Sequence, residues 1–328
     1  MLILGGGWYG CHLASTLLRA GVDVRLKELK SRLFAGASGN NPARLHQGVH
    51  YPRSGLTIND CIEQEPLFLN TYGKFTSKVS QNIYAVADEG SFVDFRAYTR
   101  MIEGSVPFII LVDPKRLGLQ HVEGAIQVHE QHIVIDEVRE HFEVLLKDVV
   151  EYGSNTYNSD DYDWVIDCTF NALSGEDLAV DRYEPCLVVL LKGPVETAVT
   201  IMDGPFPSLY PWNENAGLCS LSSALLTPLS KSLRTYGAAK LVMEQTDQAF
   251  LVDRSKRMIA QMAHYYPAVM RNYQLAETRL SIRAMPSSAA DARLCNVFRA
   301  GERLLRVYAG KISAIFKAEQ EVMRMLAI

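Results

Sequence analysis

The chain has 328 residues, of which 48% are hydrophobic and 21% charged, a balance typical of a soluble globular protein. Its formal net charge of −4 at pH 7 excludes the strongly basic surface of a nucleic-acid-binding protein. No apolar run approaches the ~20 residues of a membrane span, and no cationic segment precedes the first strand as in a signal peptide. Because the six cysteines form no CxxC pair, we expect no metal centre. We therefore expect a cytoplasmic protein without a membrane span or a nucleic-acid partner.

The N-terminal segment predicts the start of a parallel α/β sheet. An apolar run, a glycine-rich turn, a helical pattern and an alternating segment follow one another directly. The predicted elements are the strand Met1–Leu4, the turn Gly5–Gly10, the helix Cys11–Ala20 and the strand Val22–Leu26. Gly21 stands where a helix commonly ends, and Glu28 closes the second strand.

Gly5, Gly7 and Gly10 form the pattern G-x-G-x-x-G between the first predicted strand and the helix. In dinucleotide-binding proteins, the first glycine permits a tight turn and the second lets backbone N–H groups approach a pyrophosphate. The third lets the helix pack closely on the strand, and the helix N-terminus adds partial positive charge. Glu28 is placed to accept hydrogen bonds from ribose hydroxyls. The alternative is a glycine-rich turn in an unrelated α/β protein, but the order of the elements favours a dinucleotide site.

The segment 37–52, ASGNNPARLHQGVHYP, favours FAD over NAD as the dinucleotide. An NAD-binding domain would continue with another amphipathic helix and strand, whereas this segment is small, polar and glycine-bearing. It predicts an extended loop whose backbone groups are free to meet a ligand. Glu28 also permits an NAD-dependent dehydrogenase, which stays open as an alternative at this point.

These motifs resemble the D-amino acid oxidase-like family of FAD-dependent oxidoreductases. The loop is most similar to that of the L-2-hydroxyglutarate oxidase and glycine oxidase type. The resemblance implies an α/β fold, in which a Rossmann-like FAD-binding domain carries an inserted α+β substrate domain built on a mostly antiparallel sheet. It also implies contacts with FAD from the following residues: Gly5, Gly7, Trp8, Tyr9, Gly10, Glu28, Leu29, Ser38, Asn40, Asn41, Arg44, Leu45, His46, Val149, Cys168, Thr169, Phe170, Tyr308, Gly310, Lys311 and Ile312.

Three later segments extend the resemblance along the chain. Residues Glu143–Val150 are similar to the strand that places a valine, here Val149, against the adenine. The segment 162–170 is similar to a strand that ends in a glycine turn beside the cofactor, although Phe170 replaces that glycine. The segment Arg303–Ser313 is similar to the final strand and loop, whose Gly310–Lys311 turn would pass the flavin. A helix from about 312 to 326 would then point its N-terminus at the flavin.

Because the cofactor segments are dispersed, the FAD-binding domain is expected to comprise residues 1–75, 131–182 and 284–328. Residues 76–130 and 183–283 would form the substrate domain. Its predicted elements are the strands Asn82–Ala87, Tyr183–Lys192, Thr197–Met202, Leu218–Leu221 and Gln274–Ile282, and the helices Phe92–Ile102 and Ser255–Met270.

The resemblance implies hydride transfer from a CH–NH or CH–OH group of a small, carboxylate-bearing substrate to flavin N5. Oxygen or another acceptor would then take the electrons. Three residues are expected to be catalytic: His46 as a base or covalent flavin ligand, Arg283 as the carboxylate anchor, and Lys311 as a positive charge near the flavin.

Each of these assignments has an alternative. His46 could only donate hydrogen bonds, Arg283 could form an interdomain ion pair with Asp291, and Lys311 could lie at the surface. Arg44 and Arg53 are weaker candidates for the anchor. A flavin-binding protein that has lost oxidase activity also stays open, because Phe170 departs from the family pattern.

Overall fold

The computed structural model describes residues 1–111, 113–173, 180–286, 294–308 and 310–328, and these form three β-sheets with helices packed against them. In chain order the strands are β1 (Leu2–Leu4), β2 (Arg25–Glu28), β3 (Arg44–Leu45), β4 (Thr76–Lys78), β5 (Gln81–Ala87), β6 (Ile109–Leu111), β7 (Val122–Val128), β8 (Gln131–Ile133), β9 (Val150–Tyr152), β10 (Val165–Asp167), β11 (Val180–Lys192), β12 (Thr197–Met202), β13 (Pro207–Asn213), β14 (Leu218–Ser223), β15 (Gln274–Pro286), β16 (Asn296–Gly301) and β17 (Leu304–Tyr308). The α-helices are α1 (Trp8–Arg19), α2 (Gly55–Tyr72), α3 (Phe95–Ile102), α4 (Ile135–Leu145), α5 (Tyr236–Gln245), α6 (Gln248–Tyr265), α7 (Ala268–Asn272) and α8 (Ile315–Leu326).

The first sheet is the Rossmann-like sheet that the N-terminal pattern predicts. Its strand order is β16-β17-β10-β1-β2-β9, and every neighbouring pair is parallel except β16 with β17. β1 lies in the middle with all three residues buried, which explains its unbroken apolar run. Leu13 and Leu17 of α1 and Ile315 and Val322 of α8 belong to the core that covers this sheet.

The second sheet is mostly antiparallel, in the order β15-β11-β14-β13-β12-β5-β7-β6, and β5 with β12 is the one parallel pair among its described strands. Met258 and Met262 of α6 are fully buried in the core beneath it. A short third sheet, β3-β8-β4, joins the loop after β2 to the segment after β7. The predicted fold class, a Rossmann-like sheet with a mostly antiparallel second sheet, is confirmed.

Several element boundaries differ from the predictions. The predicted strand over Glu143–Val150 is wrong, because α4 continues to Leu145 and only β9 follows. Buried Val138, Phe142 and Leu146 recur every four residues, which is a helical period. The helix predicted over 255–270 is two helices, since Pro267 lacks a backbone N–H and interrupts the pattern.

Strand and helix starts also shift near the turns. α1 begins at Trp8 instead of Cys11, and β2 begins at Arg25 instead of Val22. α3 begins at Phe95, after Asp94 caps it by accepting from the Ala97 N–H. Two expected domain boundaries, at 182 and 283, fall inside the strands β11 and β15. The division into domains itself stays a prediction. Within the described ranges, no helix combines the length and hydropathy needed to cross a bilayer.

Helix α2 carries a partly buried carboxylate, Glu65, that contacts the loop after β3. The Gln47 side-chain Nε2 donates to both of its oxygens, at 2.9 and 3.3 Å. Burial raises the pKa of Glu65 to about 7, the Gln47 hydrogen bond opposes this, and the nearby Glu130 charge adds to it. Between the usual glutamate pKa and this value, the unfolded chain is ionised while the folded protein keeps the proton. Ionisation of Glu65 therefore favours unfolding as the pH rises to 7.

We expect Glu65→Gln to be more stable than the wild type at pH 8 and to lose this advantage below about pH 4.5, near the unfolded-state pKa. The amide can still accept from Gln47 without the cost of a buried charge. Urea unfolding at both pH values measures the difference in free energy. Glu140→Gln, at an exposed position of α4, is the control and should show no such pH dependence. A gain of equal size at both pH values would show that the buried charge is not the cause.

Candidate functional site

The turn between β1 and α1 accepts only glycine at its key positions. Gly5 has a φ of +96°, and a Cβ there would lie 2.8 Å from the Cys168 carbonyl oxygen. A Cβ on Gly10 would lie 1.9 Å from the carbonyl oxygen of Gly5, and one on Gly7 would lie 2.7 Å from Ser38 Oγ. The turn is therefore packed as closely as the three glycines allow, which is what the motif predicts.

The N-terminus of α1 presents a site for a negatively charged group. Gly7 is its N-cap and offers no side chain, and no acidic residue occupies the first turn. The first N–H groups of a helix have no helical acceptor, and the helix dipole adds partial positive charge there. Ser38 Oγ accepts from the Trp8 N–H at 3.0 Å, which brings the following loop to the same point. This arrangement fits the pyrophosphate of a dinucleotide.

Glu28 closes β2 beside this turn. Its Oε2 accepts from the Gly6 N–H at 2.7 Å, and its Oε1 accepts from the Lys30 N–H at 2.8 Å. A carboxylate offers about four lone-pair positions, so acceptor capacity is left for ribose hydroxyls. Leu29, the next residue, is half exposed.

The loop after β2 is held by its own asparagines. Asn40 Nδ2 donates to the carbonyls of Ala35 and Gly36, and Asn41 Nδ2 donates to those of Ala37 and Ser38. These side chains therefore shape the loop that faces the glycine turn. Their predicted contact with the pyrophosphate stays a prediction.

The turn after β10 contains the predicted departure from the family pattern. Phe170 has a φ of +58° and Asn171 a φ of +62°, both in the left-handed region. Phe170 thus adopts a backbone conformation that favours glycine, at a cost of about 1–2 kcal/mol. Its ring stacks on Tyr308 with centroids 6.3 Å apart. The turn starts beside β1, because the Cys168 N–H donates to the Leu4 carbonyl at 2.9 Å, and Thr169 bonds back to Asp167.

The other residues expected to contact the cofactor are mostly buried or packed against a core. Val149 is partly buried against the core, and its carbonyl accepts from the Leu26 N–H at 2.9 Å. Leu45 and Tyr308 are buried, and Ile312 packs against the core of the first sheet. Gly310 precedes the short 3₁₀ turn Ile312–Ala314 that leads into α8. Contacts of these residues with FAD stay predictions.

Lys311 lies inside the protein, so its surface alternative is wrong. It is 9% exposed, and its Nζ lies 2.6 Å from Oδ2 of Asp60, which is 1% exposed. Its backbone carbonyl accepts from the Tyr9 hydroxyl at 2.6 Å, which ties the C-terminal turn to α1. The Lys311 ammonium also lies 5.8 Å from the ring centre of Tyr51.

His46 forms a pair with a buried carboxylate that follows β7. Its Nδ1 lies 3.3 Å from Oε1 of Glu130, which also accepts from the Gln47 N–H at 3.0 Å. Burial, the largest influence, lowers the pKa of His46, and Glu130 opposes this. Burial raises the pKa of Glu130, but His46, Arg44 and Tyr84 together outweigh it and hold that pKa below its usual value. The pair is therefore an ionised carboxylate beside a neutral imidazole.

Arg44 is directed into the second sheet. Its guanidinium donates to the Tyr84 hydroxyl at 2.8 Å and to Thr200 and Ser208 at 2.9 Å, and it stacks 3.9 Å above the ring of Tyr210. Because these groups occupy it and it is 6% exposed, Arg44 is poorly placed to anchor a substrate. Its hydrogen bonds instead connect β3, which follows the loop after β2, to the second sheet.

Arg283 is paired on its own sheet. It lies opposite Glu184 in the β11–β15 ladder, and its Nη2 is 2.5 Å from Glu184 Oε2. Glu184 is 1% exposed and also accepts from Arg182 Nε at 3.0 Å. The partner that we considered, Asp291, lies outside the described residues. Since the Arg283 side chain is 37% exposed, part of it still faces outward. Arg53, the other alternative, is paired with Asp203 at 2.5 Å.

Aromatic rings surround His46 on its other side. Its ring centre lies 5.0 Å from that of His50 and 5.3 Å from that of Tyr51. Burial lowers the pKa of Arg283, but Cys186 and Glu184 outweigh it, and Tyr51 adds a smaller influence in the same direction as theirs. Two of the three expected catalytic residues, His46 and Lys311, thus lie close to Tyr51.

Sequence analysis missed Glu130, Asp60, Glu184, Tyr51 and Tyr84. For Asp60 a signal was present, because it lies on the buried face of α2 with Gln64 and Phe68, four and eight residues later. A charged residue on an apolar helix face is unusual unless it is paired. Glu130 follows an apolar strand, which is a weaker signal.

Known proteins show the same fold and cofactor. No protein-family model matches the chain. It is 34% identical to the FAD-dependent monooxygenase FPY4 of Fusarium mangiferae, over 99% of this chain and 90% of the relative. Among solved structures, the FAD-bound L-alpha-glycerophosphate oxidase of Mycoplasma pneumoniae superposes with a TM-score of 0.74 at 15% identity, covering 100% of this chain and 94% of the other. Glycine oxidase of Geobacillus kaustophilus superposes with a TM-score of 0.70 at 13% identity, covering 98% and 92%.

The solved structures establish the fold, which is that of glycine oxidase and of L-alpha-glycerophosphate oxidase. The relation of the loop to the L-2-hydroxyglutarate type stays a prediction. The sequence relative covers nearly the whole chain and carries the cofactor expected from the glycine turn and Glu28. The chain therefore belongs to the family of this FAD-dependent monooxygenase and is an FAD-dependent oxidoreductase.

Proposed function

We propose that this enzyme oxidises a CH–OH or CH–NH group of a small, carboxylate-bearing substrate, with His46 as the base. The observation that carries the proposal is the pair of His46 and Glu130 in the loop that leaves the cofactor turn. FAD, when bound, accepts the hydride of the substrate C–H bond. The side chains then have to bind the substrate, orient it and remove the proton of its hydroxyl or amine.

The residues around the glycine turn fit the ADP part of FAD. The α1 N-terminus and the Ser38 loop would hold the pyrophosphate, and the Glu28 carboxylate would accept from the ribose hydroxyls. The close approach of Gly7 to Ser38 makes a cradle that a Cβ would fill. The isoalloxazine would extend towards the loop with His46 and the turn with Lys311, by analogy with the family fold.

Glu130 determines which nitrogen of His46 acts as the base. A neutral imidazole donates from one nitrogen and accepts at the other. Since Nδ1 faces the ionised Glu130 carboxylate, Nδ1 carries the hydrogen and Nε2 keeps its lone pair. The lowered pKa of His46 keeps Nε2 unprotonated at neutral pH. Once Nε2 takes the substrate proton, Glu130 stabilises the imidazolium.

Arg283 would anchor the substrate carboxylate. Its Nε and Nη2 are held by Glu184, which fixes the guanidinium plane on β15. The outward part of the group would then bind one end of the substrate while His46 contacts the other. Burial lowers the pKa of Arg283, but Cys186, Glu184 and Tyr51 raise it, and the influence of Tyr51 supports a position of this anchor near the ring cluster around His46.

Oxygen insertion is the second candidate function. The FAD-dependent monooxygenase from Fusarium mangiferae is similar over nearly the full chain, which favours it. The two functions differ in the fate of molecular oxygen, since an oxidase reduces it without inserting it into the product.

The cofactor site predicts the effect of a larger residue at Gly7. Gly7→Val should lose FAD, because its side chain would occupy the space next to Ser38 Oγ. The absorbance near about 450 nm of the purified protein, which is typical of bound flavin, measures retention. Gly237→Val is the control, because nothing lies within 4 Å of a Cβ there. A folded Gly7→Val protein with full flavin would contradict the proposed binding mode.

His46→Gln should retain FAD and lower the rate of flavin bleaching by substrate by about 10²–10⁴-fold, the usual contribution of a general base. The amide can donate to Glu130 but does not take a proton. Anaerobic stopped-flow mixing with a substrate found in pools of amino and 2-hydroxy acids measures the rate. His132→Gln, a buried histidine bonded to Ser77 and not to Glu130, is the control. Equal rates in wild type and His46→Gln would exclude His46 as the base.

The same pools, tested first without oxygen and then under ¹⁸O₂, decide the substrate class and the reaction type. We expect one pool to bleach the flavin in the anaerobic experiment. Under ¹⁸O₂ the same pool should yield a product without ¹⁸O from the gas. Mass spectrometry of the product measures the label. In parallel reactions that also contain a reduced nicotinamide as electron donor, incorporation of one ¹⁸O atom, with no bleaching by either pool, would replace the oxidase proposal with the monooxygenase.

A further inference from the structure

One buried carboxylate, Asp60 of α2, contacts two lysines from the C-terminal part of the chain. Its Oδ2 lies 2.6 Å from Nζ of Lys311, and its Oδ1 lies 2.5 Å from Nζ of Lys317. Asp60 is 1% exposed, whereas the Lys317 side chain is 36% exposed. A carboxylate removed from water needs such partners, because an unpaired charge in the interior is strongly destabilising. The three side chains therefore act as one unit.

The unit carries one net positive charge, since two ammonium groups share a single buried carboxylate. Glu63 reaches Lys317 at 3.5 Å, but it is 63% exposed and solvent screens its charge. Burial opposes the charge of Lys317, yet the contact with Asp60 raises the pKa of Lys317 above its usual value. The positive charge is thus shared by Lys311 in the turn after β17 and Lys317 at the start of α8.

The other titratable groups around Lys311 add little charge. Burial raises the pKa of Cys61 to about 12, so that thiol is neutral, and Lys311 only partly opposes this. Tyr51 presents its ring to the ammonium at 5.8 Å. The neighbouring residues His46 and Glu130 also add little, because His46 is neutral and the Glu130 carboxylate is balanced by the Arg44 guanidinium at 4.0 Å. Lys311 is therefore the nearest source of positive charge on this side of the loop.

We propose that Asp60 is a positioning residue that holds the Lys311 ammonium beside the flavin ring, and that Lys317 fixes the second oxygen of Asp60. The proposal rests on the proposed function only in placing the ring at the Gly310–Lys311 turn. A lysine ammonium is a point charge on a flexible stem, so the carboxylate gives it a single position. A fixed cation beside a group that gains electrons stabilises its reduced form.

This role predicts an unusual direction for the change in the reduction potential of bound FAD. Removing a negative charge near a redox group should by itself raise its reduction potential. If Asp60 works by placing Lys311, Asp60→Asn should instead lower the potential of bound FAD, as Lys311→Met does. We expect each variant to lower the equilibrium constant of two-electron reduction at least tenfold, which corresponds to about 30 mV. Dye-coupled reduction of the purified holoprotein measures this without any substrate.

A second variant keeps the net charge of the unit constant. Asp60→Asn with Lys317→Met removes one charge of each sign and leaves Lys311 without its anchor, so the potential should again fall. The reduction potential of the double variant Asp60→Asn, Lys311→Met should be no lower than that of Lys311→Met alone, because Asp60 acts through that lysine. Asp60→Glu keeps a carboxylate and should restore most of the potential. Glu63→Gln, the same charge change on the same helix, should shift the equilibrium constant less than twofold.

A potential that rises or stays constant in Asp60→Asn, or effects of Asp60 and Lys311 that add in the double variant, would overturn the proposal. If a variant does not fold by circular dichroism, the charge-conserving pair and Asp60→Glu decide, since the first should lower the potential and the second should not. These results are separable from the proposed function. An enzyme that no amino or 2-hydroxy acid reduces would still give a potential, and an enzyme that oxidises such a substrate could still fail the Asp60 test.

Discussion

Three carboxylates buried away from water contact the basic residues of the proposed site. Glu130 is 0% exposed, and Asp60 and Glu184 are each 1% exposed. A buried charge of this kind is tolerated only with close partners, and each partner here is one of the basic residues expected at the site. Glu130 pairs with His46, Asp60 with Lys311, and Glu184 with Arg283. The requirement to satisfy each buried carboxylate with an ion pair or a hydrogen bond therefore orients the groups proposed for catalysis.

The same requirement joins parts of the chain that are far apart in sequence. Glu130 follows β7 of the second sheet, and it accepts hydrogen bonds from Gln47 and His46 in the loop that leaves the first sheet. Asp60 lies on α2 and meets lysines from the last turn and helix. These contacts add to the apolar packing of α1 and α8, which both cover the first sheet. Charge pairing and apolar packing thus support the same architecture.

Features that depend on neighbouring residues could be predicted from the sequence, whereas contacts between residues far apart in the chain could not. The glycine turn, β1 and β12 depend on local patterns, and the structure shows them close to the predicted positions. The fold class, which the resemblance implied, is also confirmed. The strand expected over Glu143–Val150 failed because resemblance was preferred to the helical spacing of Val138, Phe142 and Leu146. The partners of His46, Lys311 and Arg283 could not be predicted, because Glu130, Asp60 and Glu184 come close only after the chain folds. No periodicity in the sequence specifies such contacts.

Phe170 shows why a departure from a motif does not have to change the geometry. The left-handed conformation costs an ordinary residue free energy, yet the ring gains contacts with Tyr308 in the cluster between the two sheets. Tyr308 in turn donates to the Ala284 carbonyl of β15, the strand that carries Arg283. The substitution thus exchanges backbone freedom for a contact that runs from the cofactor turn to the second sheet. Because a glycine could not make that contact, the turn of this chain is coupled to the strand that holds the proposed anchor.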